Sequence, residues 1–259
     1  FPGGEKDLND YTISLREKGM GFAVHSTCMS IGRNDPDYVR DGVDPRLSRW
    51  VRGTLTEAVG QEAKTLYFCP APGVRHPRMV RHVWAGPGTM PSWMDLKMFL
   101  VGDELVEAET VDHSRQDVWV LKGCRRGAWG KDARSHPAGT KCEGMVRPYR
   151  QVFVPDPDST LFVETIQRWA EFCTRNSVDH LECDALEDHA DKPWGVGKFS
   201  WLLSSALSLP STSNTSSGSP LPFQVEYWFR GSRQVVANHA RGGVAGGASL
   251  PLYAHSEIR

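Results

Sequence analysis

The chain has 259 residues, 39% of them apolar and 24% charged, the balance of an ordinary soluble globular protein. Its formal net charge of −1 argues against a general nucleic-acid binder. No apolar run approaches the ~20 residues that a membrane span needs.

The opening Phe1-Pro2-Gly3-Gly4 has neither an initiator Met nor the pattern of a signal peptide, so a leader has been removed or the chain is part of something longer. Glu5 to Lys18 is expected to form a helix with Leu8, Tyr11, Ile13 and Leu15 toward one side, ended by Gly19 and Gly21. Gly21 to Thr27 then reads as a short buried strand with His25 and Ser26 at its C-terminal end, the grammar of an αβ unit. Asn34 to Val39 is a loop of turn formers.

Between about Arg46 and Arg147 the texture changes. Strand-like pieces occupy Thr65 to Cys69, Lys97 to Val101, Glu104 to Ala108 and Asp117 to Leu121, separated by Pro and Gly turns with no clear helix. This stretch carries 16 Lys and Arg against 11 Asp and Glu, a net of +5, concentrated in Arg75 to Trp84. It is expected to be an inserted all-β domain, 46–147, between two parts of an αβ domain, 1–45 and 148–259. Six cysteines form no CxxC pair, so zinc-ribbon spacing is absent and the redox compartment stays open.

The αβ grammar resumes near Tyr149. Pro155-Asp156-Pro157-Asp158-Ser159 is a helix start, and Thr160 to Asn176 carries Leu161, Ile166, Trp169, Ala170 and Cys173 on a helical stripe. The stretch Val178 to His189 then alternates. In a strand, Leu181, Cys183 and Ala185 share one face, and His180, Glu182, Asp184 and Leu186 the other. Polar groups on an inner face are costly to bury unless paired, hydrated or used. Trp194 to Leu207 is expected to be helical, Ser211 to Ser219 a polar loop, Gln224 to Asn238 helical, and Leu250 to Tyr253 the start of another strand.

Two stretches carry a family resemblance. Val178 to Glu187, VDHLECDALE, resembles the strand that bears an acid pair in (β/α)8-barrel glycoside hydrolases of bacterial polysaccharide degradation. Gly21 to Val39 with the later Asp44-Pro45-Arg46-Leu47 is similar to a second segment of the same proteins, in which a small β module interrupts the barrel. Val101-Gly102-Asp103-Glu104, Gly123 to Gly130 and His136 to Thr140 look like the recurring turns of such modules. The resemblance implies a TIM-barrel-like α/β fold, partial or abbreviated because about 157 residues remain outside the insertion, against at least ~200 for a closed barrel. Further chain segments or subunits would then complete it. It also implies a secreted or periplasmic bacterial protein.

Cleavage of a glycosidic bond needs a carboxylic acid and a second carboxylate. Asp184 and Glu187 fall on the acidic positions of the resembling motif and are the expected catalytic pair, with Glu182 one step deeper. Ala185 in place of Gly, and the extra His180, Asp188 and His189, depart from that motif. His25, His180, Asn214, Tyr227, Trp228 and Arg230 are expected to contact substrate, with Glu226, Tyr253, His255 and Glu257 in reserve. No cofactor motif is present and no metal-ligand spacing is matched, so neither cofactor nor metal is expected. The partner expected is a polysaccharide, anionic ones included because of the basic stretch around Arg75, and not nucleic acid. Two alternatives stay open. One is a polysaccharide lyase acting on a uronate by β-elimination; the other is a non-catalytic carbohydrate-binding or assembly protein.

Overall fold

The structure, a computed structural model, describes residues 1–27, 29–80, 88–92, 94–183, 194–208, 223–227 and 235–239. In chain order its elements are α1 (Glu5–Glu17), β1 (Ala23–Ser26), β2 (Ile31–Gly32), β3 (Arg49–Leu55), β4 (Thr65–Pro70), β5 (Arg78–Val80), β6 (Thr89–Pro91), β7 (Met98–Val101), β8 (Glu104–Glu107), β9 (Thr110–Asp112), β10 (Trp119–Lys122), β11 (Lys141–Met145), β12 (Val152–Phe153), α2 (Thr160–Arg175), β13 (His180–Cys183), α3 (Trp194–Ser208), β14 (Phe223–Tyr227) and β15 (Val235–His239). They divide into two compact units, Phe1–Met29 with Phe162–Arg259, and Ser30–Leu161.

In the first unit, α1 turns Leu8 and Thr12, one helical turn apart, to the buried side, while Tyr11 and Ile13 stay exposed. A threonine is tolerated there because its hydroxyl donates to the Asn9 carbonyl at 2.8 Å. Gly19 stops the helix at φ +72. Its N–H reaches the Arg16 carbonyl, and the Met20 N–H reaches that of Leu15, the paired bonds of a Schellman end. The sheet order is β1-β13-β14-β15, with the first two pairings parallel and the last antiparallel. Leu181 and Cys183 on one face of β13 pack with Phe162, Ile166 and Cys173 of α2 and Phe199 and Leu203 of α3.

The expected (β/α)8 barrel is therefore corrected. A barrel pairs each strand with a helix, whereas three α-helices accompany fifteen strands among the described residues. The parallel run stops at β14 for a reason of length. Seven residues separate Tyr227 from Val235, fewer than the dozen or so that a parallel crossover takes, so β15 folds back antiparallel. The helix expected over Gln224 to Asn238 is this strand pair instead. Val225, Tyr227, Val235 and Val236 are β-branched or aromatic and suit it.

The second unit is a seven-stranded antiparallel half-barrel, ordered β8-β7-β11-β3-β4-β10-β9. Every residue of β7 is buried because both faces of the strand are covered. Phe99 and Val101 join Val51, Phe68 and Trp119 on one side; Met98 and Leu100 join Leu47, Phe153 and Leu161 on the other. Trp119 stacks on Trp50 at 5.8 Å between ring centroids. Gly144 of β11 makes room for that indole, since a Cβ there would come within 2.5 Å of Trp50 Nε1. The loop expected at Asn34 to Val39 contains one helical turn, Pro36–Arg40, begun by Asp35, whose carboxylate accepts from the N–H groups of Asp37 and Tyr38. Lys131 closes it by donating to the carbonyls of Val39 and Arg40, each at 2.6 Å. The unit's two ends are held side by side by the β2–β12 ladder and the Leu47–Pro155 bridge.

Candidate functional site

The face of β13 opposite the core carries the polar residues. Leu181 and Cys183 are fully buried, while His180 and Glu182 are half-buried. Parallel pairing with β1 sets His25 beside Glu182, and pairing with β14 sets Glu182 beside Glu226 in the ladder. His25 Nδ1 lies 3.0 Å from Glu182 Oε2, with side chains 56% and 28% exposed. A carboxylate can only accept, so the imidazole presents its Nδ1 proton to Glu182. His180 shares the face, with Ala23 and Gln224 as its ladder partners.

Asp179 holds the two strands in this register. It is 8% exposed, and its carboxylate accepts from Arg16 at 3.0 Å and from the Phe22 N–H at 2.9 Å. The helix α1 and the start of β1 are thereby tied to the start of β13. Sequence reasoning passed over Asp179, and no local signal marks it, because both partners are more than 150 residues away. Glu182 was expected as a deeper acid behind Asp184. The structure places its carboxylate beside His25.

The remaining expected site residues divide in two. Tyr227 ends β14 as the ladder partner of Cys183 and Val235. Asp184, Glu187, Asn214, Trp228 and Arg230 lie outside the described residues, as do the reserves Tyr253, His255 and Glu257. No set of three or more His, Cys, Asp or Glu side chains among the described residues is placed to hold a metal ion, and Cys69, Cys124 and Cys142 are free thiols.

A second polar cluster lies in the half-barrel, where the Gly-Asp-Glu, Arg-Gly and His-Pro turns of the sequence converge on Glu104. This carboxylate is 1% exposed. It accepts from Arg126 through both oxygens at 2.8 and 2.7 Å, from the N–H groups of Gly127 and Arg134 at 2.8 and 3.1 Å, and from His136 Nε2 at 2.8 Å. Burial pushes its pKa up, but these donors outweigh burial and hold the carboxyl below its ordinary range. Gly127 is required at its place: φ is +56, and a Cβ would meet the Lys131 carbonyl at 2.3 Å. With its acceptor positions filled, Glu104 locks three turns together and is closed to a ligand.

Comparison with known families, curated proteins and solved structures finds no match for this chain. The glycoside-hydrolase resemblance is corrected accordingly: no family supports it, and the antiparallel half-barrel contradicts its fold. Among the described residues no helix is long and apolar enough to cross a membrane.

Proposed function

We propose that the first unit carries out general-base chemistry on a carboxylated polysaccharide, with His25 as the base and Glu182 as its positioning partner. The observation behind this reading is the 3.0 Å contact between His25 Nδ1 and Glu182 Oε2 on the face of the first unit's sheet opposite its core. A carboxylate at Nδ1 fixes ring tautomer and orientation and stabilises the imidazolium formed when Nε2 takes up a proton. An imidazole base needs an acidified C–H, and the position α to a uronate carboxyl supplies one. Nε2 takes that proton, its electron pair becomes a carbon–carbon double bond, and the glycosidic C–O bond to the adjacent carbon breaks. The departing oxygen then takes a proton, for which His180 on the same face offers a second imidazole.

The test is a panel of uronate-containing glycans followed at the absorbance of the unsaturated product. Enoate should accumulate on at least one of them. His25→Ala should lower kcat by about 10²–10⁴-fold, and Glu182→Gln should lower kcat while leaving KM within about two-fold. New reducing ends without enoate, or no turnover on any carboxylated glycan, would refute the elimination.

A further inference from the structure

The half-barrel unit contains a cleft of about 800 Å³ beside β7, β8 and β9, lined by residues that include Asp95, Lys97, Glu107, Glu109, His113 and Arg150. That volume suits a ligand of two or three sugar rings. The charges in it are of two kinds. Asp95 and Glu107 are committed to the structure: Arg147, 1% exposed beneath them, donates to both at 2.6 and 2.7 Å, and Arg125 also pairs with Glu107. Their pairing leaves no net demand for a ligand. Lys97, Arg150 and Glu109 are uncommitted, forming no side-chain ion pair among the described residues. Two free cations against one free carboxylate give the open part of the cleft a positive balance.

The same wall presents a flat polar surface. His76 and His113 stack at 4.0 Å between centroids and 11° between planes, over the Trp50–Trp119 pair. Their Nδ1 atoms face the carbonyls of Pro77 and Val111 at 2.9 and 3.3 Å, and a carbonyl only accepts, so Nδ1 bears the proton in each ring. Burial first, and His113 second, hold the His76 pKa below its ordinary value, which favours the neutral ring with Nε2 as an acceptor for a hydroxyl.

We infer that this cleft is a binding site for an anionic oligosaccharide, with Lys97 and Arg150 on the acidic group and the His76–His113 stack on the ring hydroxyls. The inference extends the proposed polysaccharide chemistry by giving the second unit the task of holding the chain being cleaved, and it rests on that reading for its choice of uronate. It does not need the dyad to be catalytic, so the two can fail separately.

The test uses the full chain as His25→Ala, so that turnover is slow against the titration, with trigalacturonate and with neutral galactotriose as ligands. Trigalacturonate should bind more tightly than galactotriose, and Lys97→Ala/Arg150→Ala should weaken it by about ten-fold or more, as expected for lost charge-assisted contacts. Both residues are at the surface, and the double variant should keep the unfolding midpoint of its parent. The slope of log affinity against log salt should also flatten in it. Equal binding of the two trisaccharides, or unchanged affinity in the double variant, would overturn the cleft assignment. Cleft binding without enoate formation by the wild-type chain would sink the elimination and uphold the cleft. Enoate formation with no effect of the double variant on binding would do the reverse.

Discussion

Glu104 shows how much one buried carboxylate can organise. Its donors come from Arg126, Gly127, Arg134 and His136, so removing its charge frees a buried guanidinium and three turns at once. Glu104→Gln should cost about 3–5 kcal/mol, the cost of breaking a buried pair from one side, read as a lower midpoint in urea. The pH dependence has a definite sign. Because the folded-state pKa is depressed, the carboxylate stabilises the protein fully above the unfolded value, about 4.3. That contribution is lost as pH falls through the depressed folded value. Glu104→Gln should therefore flatten the acid limb of stability against pH below about 4; an unchanged limb would count against this role. At this scale the sequence was partly legible. The turns around Glu104, Arg126 and His136 stood out as motifs, and the alternation of His180 and Glu182 with Leu181 and Cys183 was readable from residue type. The contact of His25 with Glu182 was not, because it depends on the register of two strands 157 residues apart.

Among the elements, α2 ends with a residue that strains its own backbone. Ser177 sits at φ +55, where the Val178 N–H reaches back to the Cys173 carbonyl at 3.0 Å. A side chain in this left-handed region costs about 1 kcal/mol, so Ser177→Gly should stabilise the chain by up to that amount in thermal or urea unfolding. Gly144 should behave oppositely. Its Cβ would press on Trp50, and Gly144→Ala should destabilise by about 1–3 kcal/mol and weaken the near-ultraviolet signal of the Trp50–Trp119 stack. The helices α1, α2 and α3 were legible because each runs unbroken for 13 to 16 residues, long enough for its composition to show. The stretch from Gln224 to Asn238 misled because each five-residue strand is too short to show its period, and its pairing lies with distant β13.

For the whole molecule, the αβ grammar at both ends of the chain was real but finite. β1, β13 and β14 are parallel, as that grammar requires, yet the short link to β15 reverses the sheet. The resemblance continued the pattern past the point where connection length forbids it. The half-barrel has its own two cores and a ladder closing its ends, so residues 30–161 expressed alone should unfold cooperatively and keep the tryptophan signal. A broad, non-cooperative melt would show that the unit depends on the rest of the chain. Its basic excess is also smaller than the insertion boundaries suggested. Over Ser30–Leu161 the net is +2, because Asp35, Asp37, Asp41, Asp44, Asp156 and Asp158 fall within it. Any anion recognition there must come from placed side chains such as Lys97 and Arg150 rather than from bulk charge. The chemistry itself is tested most directly by rescue. On a uronate glycan that the wild-type chain cleaves, His25→Ala protein supplied with free imidazole should recover enoate formation in proportion to the imidazole added. Rescue that is absent, while His25→Ala remains folded and binds the glycan, would contradict His25 as the base.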